Sequence, residues 1–518
     1  MPFDKTPEID FSSVGLITDV PTHSLPDGAW NDCLNMRCKD STIQGVNKFI
    51  DDIVLHDTDP VISGGKAMAV TQFTPAGYNY LIIAYIVKGT DNNGHVVTYN
   101  TNTQAYNDIT NSTANLVFTF DDEFPPQIFV FNELLIVNPG TDAPPMFTDA
   151  GISSGSLNIL PNWVTDSDSS PVIPRILRPF NNRLIAMNIF EEHLSGTGDD
   201  ASYPIDLLFS SHITGIGSLA AVEWTASTTN TAGDAFLLDT PGKILDGGQL
   251  GEFFIAYKSD SIVRVSETGD SLVLAFESIF EDDGIYSTRC FANIGNSQHL
   301  VIGNYGVYIH DGQNQKQDIA KGIFQDTIYS LVKTAERDRA FCFQQTRDKE
   351  VWFCFSSTTN TDLGCNLCFV YDYNEQKLHK RTLPGVSDLY ETELNGELKI
   401  FGASPASTTN KLVSLSNDQY ESDGFFVHED DNFTDNTNVK SISSVYLDSV
   451  DDVKISVIGT HQLSDTKTYT LKSFDPTTES KVDFRTTGRY INIKVQMDGN
   501  KNPKLGKLQF YFKVSGRR

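Results

Sequence analysis

The chain has 518 residues, of which 39% are hydrophobic, enough to build real cores and to exclude a protein that is disordered throughout. Its 67 acidic and 39 basic residues give a net charge of −28, which excludes a surface that grips nucleic-acid phosphates over most of its area. Phe (33) and Tyr (19) are abundant whereas Met (6) is scarce, which favours strands and turns over helices.

Residues 1–59 are predicted to form an extended N-terminal arm. Prolines recur through its first half and break any helix, and a Pro-Asp-Gly turn at 26–28 precedes strand-like residues. Trp30 is expected to anchor the arm against a neighbouring blade, the alternative being an exposed interface residue. The first ten residues lack the basic start and apolar core of a signal peptide. We therefore expect synthesis in a cytosol, with the seven scattered cysteines as reduced thiols.

Residues 60–425 carry a recurring strand pattern. Its clearest unit, Q-H-L-V-I-G-N-Y-G-V-Y-I-H-D-G at 298–312, predicts a β-hairpin whose turn uses glycines with positive φ, Gly306 among them. Similar apolar units lie at 80–87, 133–137, 182–187, 252–257, 351–355, 367–371 and 397–401. A period of about 50 residues with several strands in each period predicts a β-propeller of about six to seven blades.

A helix is predicted within residues 318–337. Apolar side chains recur there at helical spacing on one face, namely Phe324, Ile328, Leu331, Val332 and Ala335. Such a face usually packs on a blade, and partner binding is the alternative. Residues 426–439, rich in Asp, Glu and Asn, are predicted to form an acidic linker.

Residues 440–518 show a strict alternation of apolar and polar side chains. The alternating runs lie at 453–457, 491–497 and 508–514 and indicate antiparallel strands with one face on a core. They predict a C-terminal β-sandwich. This module has 14 Lys/Arg and 8 Asp/Glu, so it carries +6 while the remainder of the chain carries −34.

Motifs that could carry chemistry occur in unsuitable contexts. The G-x-S-x-G at 151–155 lacks the strand and helix of a nucleophile elbow, and the G-x-G at 215–217 lacks a βαβ unit. Cys365 and Cys368 have redox or zinc spacing, but no second ligand pair lies nearby in the sequence, so buried inert thiols are expected. The acidic clusters match no EF-hand loop. We therefore predict no enzyme activity, no catalytic residue, no metal site and no cofactor.

Several segments, in order, resemble the tail nozzle proteins of short-tailed bacteriophages, also called tail tubular protein B. The segments are L-P-D-G-A-W-N-D-C-L-N-M-R at 25–37, F-P-P-Q-I-F-V-F-N-E-L-L-I-V-N at 124–138, F-N-N-R-L-I-A-M-N at 180–188, F-I-A-Y-K-S-D-S-I-V-R-V at 254–265, G-N-Y-G-V-Y-I-H-D-G at 303–312 and T-T-G-R-Y-I-N-I-K-V at 486–495. Together they span most of the chain. Cys33, Cys38 and the polar loop 148–175 depart from the family pattern.

The resemblance implies a structural virion protein, made in the host bacterial cytoplasm, whose copies form a hexameric ring around the DNA exit channel. It implies contact with the phage adaptor, or head–tail connector, and with tail fibre or needle proteins, and passage of double-stranded DNA without tight binding. Candidates for an acidic lumen are Asp121, Asp122, Glu123, Glu429, Asp430 and Asp431.

The basic C-terminal module has acidic surfaces to meet on a neighbouring subunit. Candidates for such subunit or ring contacts are Arg485, Arg489, Lys494, Lys501, Lys504 and Lys507, a solvated face and DNA binding being the alternatives. At the level of the whole protein, the competing hypotheses are a carbohydrate-binding or carbohydrate-cleaving propeller and another component of a phage tail.

Overall fold

The protein is almost entirely β in a computed structural model. The described residues are 7–54, 64–75, 81–111, 116–149, 153, 155–165, 169–192, 200–269, 272–295, 297–394, 396–405, 411–433, 435 and 437–514. Among them the α-helix Gln325–Leu331 is accompanied by the 3₁₀ segments Thr22–Ser24 and Thr334–Arg339. No helix in these ranges is long and apolar enough to span a membrane.

Seven four-stranded antiparallel sheets follow one another within the described ranges, and we call them blades 1 to 7. Blades 1 and 2 consist of Lys66–Phe73, Ile82–Lys88, Gly94–Asn100 and Tyr106–Asp108, then Gln127–Phe131, Leu134–Asn138, Met146–Thr148 and Asn158–Ile159. Blades 3 and 4 consist of Ile173–Phe180, Arg183–Glu191, Ala201–Phe209 and Gly233–Phe236, then Ile244–Leu250, Phe253–Lys258, Ile262–Glu267 and Leu274–Phe280. Blades 5 and 6 consist of Phe291–Ile294, Gln298–Ile302, Val307–His310 and Lys316–Asp318, then Phe341–Gln345, Glu350–Phe355, Cys365–Asp372 and Lys377–Val386. Blade 7 consists of Asp388–Leu394, Glu397–Ala403, Lys411–Tyr420 and Asn47–Val54.

The blades close into a propeller, as predicted. First strands pack together in six of the seven neighbouring pairs of blades, and the first strand of blade 7 contacts that of blade 1. The fourth strand of blade 7, Asn47–Val54, comes from the N-terminal region and pairs with Lys411–Tyr420. Residues 47–54 therefore belong to the propeller and not to a free arm, because they satisfy the open edge of the last sheet.

The hairpin predicted at 298–312 is present, with Gln298–Ile302 paired to Val307–His310. The expectation of positive φ at Gly306 is wrong, because the left-handed residue of this unit is Gly312, with φ 81°. The predicted helix is shorter than expected. Val332 is extended, with ψ 129°, and forms a bridge with Ser357, so the helix ends at Leu331.

The β-sandwich is larger than its predicted range. One sheet contains Glu8–Ile9, Leu508–Val514, Lys440–Leu447 and Lys481–Gly488, and the other contains Lys472–Phe474, Val453–Thr460, Tyr490–Met497, Phe425–Asp431 and Asp32–Leu34. Much of the predicted linker 426–439 is therefore a strand. Phe426, Val427 and His428 are buried there, and the strand is paired on both sides.

The N-terminal region also supplies two small sheets, which are Gly15–Leu16 with Ala29–Trp30 and Met36–Lys39 with Thr42–Gly45. Trp30 is fully buried, its Nε1 donates to the Phe11 carbonyl at 2.8 Å, and its ring stacks on Phe426 at 4.9 Å. The prediction that Trp30 is a buried anchor is confirmed, but its ring packs on a strand of the sandwich and not on a blade.

Candidate functional site at the propeller axis

Basic residues mark one end of the propeller axis. In five blades a Lys or Arg stands at the beginning of the first strand or within two residues of it, namely Lys66, Arg175, Lys243, Arg289 and Arg339. First strands surround the axis of a propeller, so these residues converge. These five residues are not among the predicted site residues, although an alignment of the repeats on their first strands brings them to one position.

The segment Asp121–Glu123 lies across this end of the axis. Asp122 accepts hydrogen bonds from the Arg339 guanidinium at 2.9 Å, Glu123 pairs with Lys243, and the Glu123 carbonyl accepts the Thr288 hydroxyl at 3.1 Å. These three partners belong to blades 6, 4 and 5, so a connection between blades 1 and 2 is tied to the far side of the ring. Burial lowers the pKa of Arg339, but the hydrogen bond and charge of Asp122 raise it above its ordinary value.

A second set of charged contacts lies deeper between the blades. Arg178 binds Asp246 through both carboxylate oxygens, at 2.9 and 3.0 Å, and the Arg289 backbone N–H donates to the same carboxylate at 2.8 Å. Asp246 is fully buried. Paired charges therefore connect the blades in the interior of the propeller. The segment Asp121–Glu123 lies across one end of the axis, which we call the propeller mouth.

A cavity of about 340 Å³ lies beside this segment. Residues from blades 1, 5, 6 and 7 and from the connections between them contribute to its walls. Its charged residues are Lys66, Lys88, Arg289, Arg339, Asp121, Asp122 and Asp338, and its apolar residues include Met68, Phe120, Pro125, Pro126, Leu363 and Pro405. Its lining combines charged and apolar side chains, as that of small-molecule sites does.

The candidate lumen residues separate into two groups. Asp121, Asp122 and Glu123 lie at the propeller mouth, where Asp122 and Glu123 are paired with basic residues. The other three, Glu429, Asp430 and Asp431, lie in the sandwich strand Phe425–Asp431. The structure does not bring the two groups together, and their assignment to a lumen stays a prediction.

The carboxylates of the sandwich group are engaged within the chain. Lys467 Nζ donates to Glu429 at 3.0 Å and to Asp430 at 2.9 Å, and the Tyr469 hydroxyl donates to Glu429 at 2.7 Å. Asp431 lies 3.1 Å from Nε2 of the buried His428. These acids therefore stabilise the sandwich itself.

The six basic candidates of the C-terminal module differ in whether a carboxylate pairs with them and in how exposed they are. Lys501 pairs with Asp452 at 2.6 Å and Lys507 with Glu8 at 2.8 Å. Lys494 places its Nζ 4.4 Å from the centroid of the Phe425 ring.

Arg489 is half-buried, whereas Arg485 and Lys504 are exposed. Within the described ranges, neither Arg485 nor Lys504 forms an ion pair. These two residues therefore offer the most accessible positive charge of the predicted set.

The rejected motifs show no catalytic arrangement in the described part of the chain. Ser153 is exposed in a loop, while Gly151, Ile152 and Ser154 lie outside the described residues. Cys365 and Cys368 are buried free thiols, and burial raises the pKa of Cys365 well above its ordinary value. No group of three or more His, Cys, Asp or Glu side chains in the described ranges is placed to hold a metal ion.

Comparisons with known proteins give structural likeness only. The sequence matches no protein-family model, and the comparison with curated proteins finds no relative. The WD40 domain of Neurospora crassa Pan2 has 9% identity and a TM-score of 0.38, covering 68% of this chain and 90% of that one. A putative exported protein from Bacteroides fragilis has 8% identity and a TM-score of 0.30, covering 57% and 92%.

Proposed function

We propose that this protein is a structural subunit of the tail nozzle of a short-tailed bacteriophage, assembled as a ring around the DNA exit channel. The observation that carries the proposal is the position of the segments that resemble nozzle proteins. Residues 124–138, 180–188, 254–265 and 303–312 contribute to hairpins in four successive blades, and 486–495 lies in the sandwich. The resemblance therefore covers the frame of the molecule and not an isolated motif.

The charges and the closed axis are consistent with this role. A net charge of −28 disfavours tight binding of the DNA that would pass. Because Asp121–Glu123 is tied across the propeller mouth, the channel of such a ring would lie between subunits and not through a propeller. The exposed Arg485 and Lys504 would meet acidic surfaces of neighbouring copies or of the adaptor.

The test is the mass of the particle in solution. We expect light scattering and negative-stain images of the full chain, alone or with its adaptor ring, to show rings that dissociate as salt is raised. The double variant Arg485→Glu/Lys504→Glu is expected to form rings only at lower salt, because exposed charges act collectively. Lys501→Gln is the matched control, since its charge is already paired with Asp452.

Two outcomes would contradict this proposal. One is a full chain that stays monomeric at every salt concentration even with an adaptor ring present. The other is a DNA mobility shift with tight binding at physiological salt, which would favour the DNA-binding alternative. A positive signal in a glycan array or a glycosidase screen would instead support the carbohydrate hypothesis.

A further inference from the structure

Two cysteines face each other across neighbouring strands of blade 6. Cys354 in Glu350–Phe355 and Cys368 in Cys365–Asp372 are directly opposite in the antiparallel register, and both are fully buried free thiols. Among the strand pairs of the described ranges, this is the one position at which two of the seven cysteines are opposite each other. The fold therefore brings together a pair of thiols that the C-x-x-C spacing does not predict.

The hydrogen-bond pattern of the ladder fixes how close the two cysteines are. The Tyr373 backbone N–H donates to the Lys349 carbonyl at 3.0 Å, so these opposite residues form a hydrogen-bonded pair. Hydrogen-bonded and non-hydrogen-bonded pairs alternate along an antiparallel ladder, and the register of this strand pair is unbroken. Cys354 and Cys368 lie five positions further along, so they form a non-hydrogen-bonded pair, whose Cα atoms are about 4.5 Å apart. Disulfides join Cα atoms about 4.4–6.8 Å apart, so the backbone can accommodate this bond as it stands.

The C-x-x-C pair, in contrast, cannot form a disulfide in this fold. Cys365 and Cys368 lie three residues apart on one strand. A strand rises about 3.3 Å per residue, which separates their Cα atoms by about 10 Å, beyond the reach of a disulfide. Cys365 is opposite Val386 on the next strand. It therefore serves as an internal control, because it is a buried thiol without a cysteine opposite to it.

A buried positive charge lies beside the thiol pair. Arg381 is directly opposite Cys368 on its other side, so Cys354, Cys368 and Arg381 form one row across blade 6. Arg381 is buried, its Cζ lies 4.4 Å from the centroid of a Trp352 ring, and its Nε has no hydrogen-bond partner among the described residues. Burial and then the Cys368 thiol raise the pKa of Cys354 well above its ordinary value, whereas the charge of Arg381 acts in the opposite direction. A cation beside thiols favours the thiolate, which is the form that reacts with oxidants.

We propose that Cys354 and Cys368 are a redox pair that a small hydroperoxide oxidises to a disulfide within blade 6. The Cys368 Sγ, next to Arg381 in the row, attacks one peroxide oxygen. The O–O bond breaks, a sulfenic acid forms, and the Cys368 proton leaves with the other oxygen as water. The Cys354 Sγ then attacks the Cys368 Sγ, the S–O bond breaks, and the hydroxyl leaves with the Cys354 proton as a second water. The two thiols lose two electrons and the peroxide gains them.

Burial restricts the oxidant to small molecules. The core between blades 6 and 7 covers both thiols with apolar side chains, among them Phe341, Leu389 and Val413. Hydrogen peroxide is close to water in size, so brief openings of this core admit it, whereas a peptide disulfide would need the blades to separate. This inference does not depend on the proposed role in a phage tail.

The test treats the folded full chain with hydrogen peroxide at about pH 8, where thiols are partly ionised. The chain is then unfolded in urea with N-ethylmaleimide, the labels are counted by intact mass, and linked peptides are identified by proteolysis and mass spectrometry without reduction. We expect seven labels before oxidation and two fewer after it, with one disulfide joining Cys354 to Cys368. Dithiothreitol should restore both labels, since a disulfide is reducible and a sulfinic acid is not. Oxidation of the chain in urea is the reference, where the register no longer selects the partner and Cys365 also enters disulfides.

Variants assign the loss of labels to the two opposed strands. Cys354→Ala and Cys368→Ala are each expected to abolish the paired loss of labels, because either change removes one half of the bond. Cys365→Ala is the matched control. It removes another fully buried thiol from the same strand as Cys368 and is expected to leave the disulfide intact.

Three results would overturn the proposal. The folded wild type could keep all seven labels after peroxide treatment, it could lose labels without a link between Cys354 and Cys368, or it could give the same set of links as the urea-unfolded chain. All three are measured on the wild-type chain, so they decide the question even where a variant folds poorly.

Discussion

A buried hydrogen-bond chain between blades 4 and 5 gives the sharpest prediction of stability. The Gly312 backbone N–H can only donate, so His310 Nδ1 accepts at 3.2 Å and the His310 proton is on Nε2. The Gln249 carbonyl can only accept, so His299 carries its proton on Nε2 and donates at 3.1 Å. The Tyr257 hydroxyl must then accept from His310 at 2.8 Å and donate to His299 at 2.7 Å.

Replacing Tyr257 by Phe removes only the hydroxyl and leaves two imidazole nitrogens without partners. Burial lowers the pKa of His299 to about 3 and that of His310 to about 4, so both rings are neutral at pH 7. Each unsatisfied buried group costs about 1–3 kcal/mol. We therefore expect Tyr257→Phe to lower the free energy of unfolding by about 2–6 kcal/mol.

Urea unfolding at pH 7, followed by tryptophan fluorescence and circular dichroism, measures the effect. Tyr308→Phe is the matched control, because its buried hydroxyl has no hydrogen-bond partner in the described ranges. We expect that variant to stay within about 0.5 kcal/mol of the wild type or to be more stable. If Tyr257→Phe and Tyr308→Phe unfold at the same urea concentration with the same slope, the reasoning is refuted.

Three further predictions concern pH and close packing. The folded pKa values of His299 and His310 lie below the unfolded value of about 6.5, so the melting temperature should fall as pH drops from about 6.5 to 4. If the melting temperature falls by the same amount over this pH range in the wild type and in His310→Gln, the pH dependence does not come from His310. The pKa shift of His428 has the opposite sign. Burial lowers its pKa, but the hydrogen bond to Asp431 raises it above the ordinary value. Its stabilisation is full below about pH 6.5 and is lost as pH rises through the folded pKa, so His428→Gln should flatten the loss of melting temperature as pH rises above about 6.5. A Cβ at Gly284 would lie 2.3 Å from the Lys258 carbonyl oxygen, whereas the nearest atom at Gly306 is 3.6 Å away. Gly284→Ala should therefore cost about 1–3 kcal/mol and Gly306→Ala less than about 0.5 kcal/mol in urea unfolding, and equal costs would count against the packing described.

Local pairing explains what could be predicted from the sequence. The blade hairpins and the alternating C-terminal strands bring together residues close in sequence, so their apolar period and turns were visible. Asn47–Val54 pairs with Lys411–Tyr420, more than 350 residues away, and no local pattern signals that contact. The closing strand of blade 7 was therefore missed for a physical reason, namely that its partner is remote.

Charge misled the interpretation of Phe425–Asp431. The run of acids suggested a solvated linker, but Lys467 and Tyr469, about 40 residues later, compensate Glu429 and Asp430 inside the sandwich. The cavity beside the segment Asp121–Glu123 could not be predicted from the sequence for a related reason. The charges of Lys66, Lys88 and Arg289 are unremarkable in isolation, and only the closure of the propeller places them around one space.

The N-terminal strands have a consequence for synthesis. Glu8–Ile9 and Asp32–Leu34 complete the two sandwich sheets, and Asn47–Val54 completes blade 7. These residues leave the ribosome before their partners at 411–431 and 508–509 exist. The propeller cannot close before residues 411–420 have been translated, and the sandwich cannot close before residues 508–509. A chain that stops before residue 411 would therefore leave unpaired strand edges in both bodies, and such edges readily pair with other chains.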